Sequence, residues 1–381
     1  MEKTMVVKVA DSILSPYGLG TEANYMSIKE GKSCLQKYEG KWGLPEPFFA
    51  AFIEDGFLEE QCRKLGVGNE YTRLERMAIV VINDALKEID INLSDDNILF
   101  VFATTKGNVH LLDESISMPS DSLQLTKMAR KVAQWFGNKT CPIVVSNACI
   151  SGLQAQIEAE RILIAGKAEY VITIAADMLS PFIVSGFQAF KAISDEECRP
   201  FDEDRLGLNL GEAAACVIYK RASEIEDNSC WRIESKAVFN DAFHISHPSK
   251  TAEGSYLALK TVIEDIHPES ITMINVHGTA TMYNDEMEAV AINRAGLAEV
   301  PINSLKGFFG HTMGAAGLVE TLITMQSLDD GVILGTKGFC NLGVSRKVNI
   351  SSHNREAKGM RFIKLISGFG GCNAAVRYSK Q

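Results

Sequence analysis

Short runs rich in valine and isoleucine recur along this chain, and between them lie stretches whose apolar residues fall three and four positions apart. Residues 97–102, 143–146, 170–175 and 214–219 are of the first kind, and residues 76–89, 125–135 and 152–164 are of the second. The short runs suit strands, and the three- and four-residue spacing gives a helix one buried face. Their alternation over nearly the whole length predicts an α/β architecture in which helices cover sheets. The pattern breaks at residues 222–228, ASEIEDN, which are polar and acidic, and resumes with a strand pattern at 230–239. A boundary there divides the chain into residues 1–228 and 229–381. The second part repeats the element order of the first, with strand patterns at 271–276, 362–366 and 373–378 and helical patterns at 285–294 and 315–326.

The chain has 381 residues, long enough for about two domains with a substantial core. Apolar residues make up 46% and charged residues 23%, which excludes a disordered or low-complexity chain. The formal net charge of −10 argues against a global footprint for nucleic acid or an anionic membrane. No apolar stretch reaches the length of a membrane span, and the first residues, MEKTMVVKVADS, carry charges where a secretion signal needs an apolar segment. These features predict a cytoplasmic protein. The nine cysteines are widely spaced and form no CxxC pair, so they read as reduced thiols, most of them packed as small hydrophobes, with no metal site among them.

Three segments combine a reactive side chain with glycine. In Val144-Val145-Ser146-Asn147-Ala148-Cys149-Ile150-Ser151-Gly152 an apolar strand runs into Cys149 and a helical pattern follows. A thiol at a helix N-terminus has its pKa lowered by about one unit or more, because the dipole and free N–H groups favour the thiolate. Cys149 is therefore either a nucleophile or a buried structural cysteine. In Asn275-Val276-His277-Gly278-Thr279-Ala280-Thr281 a histidine ends a strand, where active-site groups usually project. Ser304 to Gly317, SLKGFFGHTMGAAG, is a glycine-rich loop carrying Lys306 and His311 that leads into a helix; its lysine precedes the glycines, unlike a Walker loop. Each histidine alone also reads as a structural residue. Together, a thiol, two imidazoles and glycine-exposed backbone amides suit acyl transfer through a thioester.

With these segments in hand the chain resembles the β-ketoacyl-[acyl carrier protein] synthases, the elongating Cys-His-His condensing enzymes of the thiolase superfamily. NACISG, VHGTAT, LKGFFGHTMGAAG, the segment RPFDEDRLGLNLGEAAACV and the closing loop SGFGGCNAAV match that family's motifs in order, over essentially the whole chain. The resemblance implies the thiolase fold, an α/β arrangement of two similar halves in five α-β-α-β-α layers with the site between them. It also implies that Cys149 holds the acyl group and that the Cys149 and Phe369 backbone N–H groups form the oxyanion hole. His277 and His311 then assist malonyl decarboxylation and stabilise the enolate, and Lys306 supports them. Asp285, Glu288 and Glu320 surround the pair with charge, although Asp285, Glu286 and Glu288 also read as acids favoured by a helix N-terminus. Thr279 and Thr281 bind the phosphopantetheine arm, and Gly368 and Gly370 flank the gating Phe369. Neither a metal nor a bound cofactor is implied, since the substrates ride on the phosphopantetheine of an acyl carrier protein. The implied partners are that carrier protein and a second chain, in a homodimer or in a heterodimer with a related subunit.

Arg73, Arg76, Arg130 and Lys131 read as solvated charge or as a basic patch for an acidic carrier protein. Residues 104–125, beginning TTKGN, differ from the corresponding region of fatty-acid enzymes and are similar to synthases of aryl-polyene or flexirubin-type pigments. A non-catalytic chain-length-factor-like subunit is the competing reading, but such subunits lose the nucleophile, and Cys149, His277, His311 and Lys306 are all present.

Overall fold

A computed structural model describes residues 5–113, 120–222, 229–245 and 247–381. The first half contains β1 (Met5–Ser15), α1 (Arg73–Ala85), β2 (Ile98–Ala103), α2 (Leu125–Trp135), β3 (Ile143–Val145), α3 (Ser151–Ile164), β4 (Tyr170–Asp177) and β5 (Ala213–Ala222). The second contains β6 (Arg232–Asn240), α4 (Glu253–Val262), β7 (Met273–Asn275), α5 (Met282–Arg294), β8 (Pro301–Asn303), α6 (Ala316–Asp329), β9 (Asn349–Ile350), β10 (Arg361–Gly368) and β11 (Cys372–Ser379). The strand order is β1-β5-β4-β2-β3 in the first half and β6-β11-β10-β7-β8-β9 in the second. In each half the first two pairings are antiparallel and the rest parallel. The two sheets join through one register pair, Val7 with Arg232 between β1 and β6. The repeated element order is thus a repeated topology, and the fold is the mixed α/β thiolase-like fold.

Side-chain alternation builds the layers. Ala214, Cys216 and Ile218 of β5 pack into one apolar cluster with α1 and α2, whereas Ala215, Val217 and Tyr219 pack into another with α3 and α6. In the second sheet Phe362, Ile366, Ala374, Val376 and Tyr378 face that same central cluster, and Ile363, Leu365 and Ala375 face α4 and α5. Successive strand residues point to opposite faces, so each sheet is covered on both sides. Helix α6 is buried around nearly its whole circumference, as a helix enclosed by two sheets must be.

The central helices touch at glycines. A Cβ on Gly152 would lie 2.6 Å from the Gly314 carbonyl oxygen, and one on Gly317 would lie 2.6 Å from the Leu153 nitrogen. Only the missing side chains let the first turns of α3 and α6 approach so closely.

Two sequence expectations shift. The helix expected at 76–89 is Arg73–Ala85, because Thr72 and Glu75 close a capping box that starts it three residues earlier. The boundary segment falls largely on residues 223–228, outside the described residues. The pattern did not single out α4, nor the helix Pro181–Ala189 whose capping residue is Ser180.

Gly317→Val should lower unfolding stability by about 1–3 kcal/mol, the cost of overpacking a close contact. A denaturant melt checks this; an unchanged midpoint would show that the crossing is not tight.

Candidate active site

The thiol lies where β3 turns into α3. Ala148 takes a left-handed φ of 45° to make the turn, and Cys149 is two residues ahead of the helix. The closing loop presses on this turn: a Cβ on Gly368 would lie 3.1 Å from the Cys149 nitrogen and 2.8 Å from the Cys372 sulfur. The Phe369 backbone N–H faces the Cys149 thiol and favours its charged form, and the Phe369 ring packs against Phe187 and Phe190 at 5.8 and 5.5 Å. Gly370 has φ 87°, and its N–H donates to the Ile245 carbonyl at 2.7 Å.

The second half supplies the imidazoles. His311 Nε2 lies 3.0 Å from Cys149 Sγ, and the His277 and His311 rings meet edge to face with centroids 5.0 Å apart. One donor atom from each of Cys149, His277 and His311 lies within 4.8 Å of the others, a set that has the reach of three metal ligands as well as of an acyl-transfer centre. The His311 backbone is clamped by the 209–211 segment: its N–H donates to the Asn209 carbonyl at 2.7 Å, and its carbonyl accepts from Gly211 N–H at 3.0 Å. Asp177 ties the same loop to residues 104–105, accepting from Gly314 N–H at 2.7 Å and from the Thr104 hydroxyl at 2.8 Å.

Buried charge surrounds the pair. Glu288 accepts from the N–H groups of His277 and Gly278 at 2.6 and 2.7 Å, and Asp285 accepts from those of Thr279 and Phe201 at 3.0 and 2.8 Å. Burial raises both carboxyls, Glu288 to about 7. These acids are not solvated helix-end charges; they fix the loop that carries His277. Glu286, the third, is half-buried and accepts from the Ser345 N–H at 2.8 Å. Lys306 is fully buried on the short helix after β8, and its Nζ donates to Glu320 Oε1 at 2.6 Å. Thr279 and Thr281 share a hydroxyl contact of 2.9 Å at the rim, where Thr281 also caps α5.

The expected depression of the Cys149 pKa is not found. Burial pushes the thiol up to about 12, opposed by Lys306 and the Phe369 N–H. Burial and the neighbouring Lys306 and Lys364 hold both imidazoles well below their ordinary value, with His311 adding to the effect on His277. The resting pair is therefore a thiol facing a neutral imidazole.

Lys364 of β10 was missed. It is fully buried, and its Nζ donates to Asn275 Oδ1, to the Val276 carbonyl and to Glu320. Of the expected basic patch, Arg73 pairs with buried Glu212 and Lys131 with buried Glu75, and Arg130 contacts Cys141 sulfur. The Arg76 Nε is buried without a partner among the described residues. Arg73 and Lys131 thus balance interior carboxylates instead of forming a free patch.

A cleft of about 1070 Å³ leads to Cys149, His277 and His311, lined on the way by Phe190, Leu206, Thr279 and Phe369. Thiol, imidazole and backbone N–H on one sulfur, at the end of a cleft, define a cysteine acyl-transfer site.

Residues 3–225 match the family described as Beta-ketoacyl synthase, N-terminal domain, and residues 231–339 match Beta-ketoacyl synthase, C-terminal domain. The chain belongs to the beta-ketoacyl synthase family and is thereby a condensing acyltransferase of the 3-oxoacyl-[acyl carrier protein] synthase class. It is 27% identical to 3-oxoacyl-[acyl-carrier-protein] synthase 2 of Vibrio cholerae over 100% of both chains. It superposes with a TM-score of 0.86 on a chain of the ketosynthase ApeO in complex with its chain length factor ApeC from Xenorhabdus doucetiae, at 20% identity over 99% of this chain and 98% of that one. It superposes with a TM-score of 0.84 on a chain of AntDE:AntF, a type II PKS acyl-carrier protein in complex with its ketosynthase, at 20% identity over 99% of each. Among the described residues no helix is long and apolar enough to cross a membrane.

With a thiol pKa near 12, alkylation of Cys149 by iodoacetamide should rise about tenfold per pH unit and reach no plateau between about pH 7 and pH 10. Peptide mass spectrometry measures this against exposed Cys141 and Cys340. A plateau already at neutral pH would mean that the thiolate is the resting form.

Proposed function

We propose that Cys149 carries the growing acyl chain and that His277 and His311 activate malonyl-[acyl carrier protein] to extend it. The observation that carries this reading is the 3.0 Å contact of His311 Nε2 with the Cys149 thiol, with His277 beside it at the end of the cleft.

Cys149 sulfur attacks the thioester carbonyl of an acyl carrier protein. Because the thiol is held protonated, its proton passes to neutral His311 Nε2 as the C–S bond forms, and then to the departing phosphopantetheine thiolate. The oxyanion is received by the N–H groups of Cys149 and Phe369, and the close approach of the Gly368 backbone to the Cys149 nitrogen supports that place for them. The imidazoles are thereby returned to the neutral form for the second substrate. Loss of carbon dioxide from the malonyl group leaves its bonding electrons as an enolate, whose oxygen accepts hydrogen bonds from the two imidazoles. The enolate carbon attacks the acyl-Cys149 carbonyl, the C–S bond breaks with its electrons on the sulfur, the product leaves as a 3-oxoacyl thioester on the carrier protein, and the Cys149 thiolate takes one proton from water to return to the resting thiol. Glu288 and Asp285 orient His277 through the backbone, and Lys306 on Glu320 supplies positive charge nearby. Thr279 and Thr281 at the rim suit the amide groups of the phosphopantetheine arm, and the glycines of the closing loop, Gly368 and Gly370, let Phe369 pivot at the entrance.

The partners proposed are an acyl carrier protein and a second chain, identical or related. The similarity to ketosynthase complexes with a chain length factor and with an acyl-carrier protein supports both classes. The same reading divides the chain at residues 228 and 229 into a half bearing the thiol and a half bearing the imidazoles. It also places the protein in the cytoplasm.

Intact-protein mass spectrometry with a panel of acyl carrier protein thioesters tests the assignment. Wild type should gain an acyl mass that malonyl carrier protein discharges, Cys149→Ala should gain none, and His277→Ala should acylate but discharge about 10²–10⁴-fold more slowly. A folded wild-type protein that no donor acylates would refute the reading.

A further inference from the structure

Between the two sheets the inner face of β10 is apolar at Phe362 and Ile366, yet the residue between them on that face is Lys364. A lysine there must satisfy three N–H donors without water. All three find acceptors: Glu320 from α6, the side chain of Asn275 at 2.6 Å, and the Val276 carbonyl at 3.2 Å. Val276 immediately precedes His277, and Asn275 pairs with Lys364 in the parallel register of β7 and β10. The other oxygen of Glu320 is held by Lys306. One carboxylate thus bridges two buried ammonium groups beside the imidazoles, and Glu288 is the further carboxyl that faces Lys364.

We propose that Lys364 is a second positioning cation of the condensing site, holding the strand end that presents His277 and adding to Lys306 the positive charge that favours the enolate over the resting malonyl thioester. The inference rests on the synthase reading above. The charged and titratable groups facing Lys364 are Glu320 from α6, Lys306 from the short helix after β8, Glu288 from α5, and the two imidazoles. Burial brings Lys364 down to about 8, against the attraction of Glu320, so it is charged at neutral pH. Removing it takes a positive charge away from two neutral histidines, so their titration must move upward.

The test compares Lys364→Met and Lys364→Gln with wild type in three readouts: acylation of Cys149, discharge by malonyl carrier protein, and titration of the labelled His277 and His311 rings by NMR. Glutamine retains hydrogen-bond donors but no charge, and it serves where methionine does not fold. The variants should acylate within about threefold of wild type and discharge at least about 30-fold more slowly in kcat with KM little changed, while both imidazoles titrate about one pH unit higher. Equal losses in both half-reactions, unmoved imidazole titrations, or failure of both variants to fold would make Lys364 a packing residue and overturn the proposal. If wild type itself forms no acyl adduct, the synthase reading falls, and the imidazole titration still decides the role of Lys364.

Discussion

Two backbones meeting with no side chain between them set the geometry on which this molecule depends. Gly152 and Gly317 let the first turns of α3 and α6 pack at a distance that any Cβ would forbid. The residue that opens the way into each helix is reactive, Cys149 before one and His311 before the other. The helix crossing therefore fixes the thiol-to-imidazole distance from outside the site. The clamps on the His311 loop, from Asn209, Gly211 and Asp177, hold the second helix start in register with the first.

Around that meeting point the protein concentrates charge in a dry interior. Isolated buried ions are costly, and a carboxylate bridging two ammonium groups offsets that cost. Desolvation favours the neutral form: the thiol, Asp285 and Glu288 are pushed up, and the imidazoles and Lys364 are pushed down. The result is a centre in which thiol and imidazole are both uncharged at rest, so the proton moves only when a carbonyl is present to receive the sulfur.

What could be read from the sequence follows a physical line. Cys149, His277, His311 and Lys306 stand beside glycines at the ends of apolar runs, where a polar residue has no packing reason to be, and the structure gathers the first three at the end of one cleft, with Lys306 buried on Glu320 nearby. Lys364 was hidden because FIKLIS reads as a strand with one polar position, and nothing local tells a solvated face from a face roofed by α6. Asp177 was hidden for a related reason, since an acid ending YVITIAAD passes for a turn residue. Arg73 and Lys131 read as surface charge because their partners, Glu212 and Glu75, lie in apolar segments remote in sequence. Even the Cys149 pKa was misjudged by a local rule: the helix start was correctly placed, but enclosure by the second half outweighs it.

The two halves share a strand order, and the junctions that carry Cys149 and His311 occupy equivalent places in it, after the third strand of each half. The loop after the second strand carries Thr104 and Thr105 in one half and His277 in the other. Equivalent scaffolding thus carries unlike side chains, although the second half has one strand more than the first. An ancestral module that paired with its own copy would have brought two identical junctions face to face. Joining two such modules in one chain frees each junction to change alone, so that one carries a thiol and the other an imidazole.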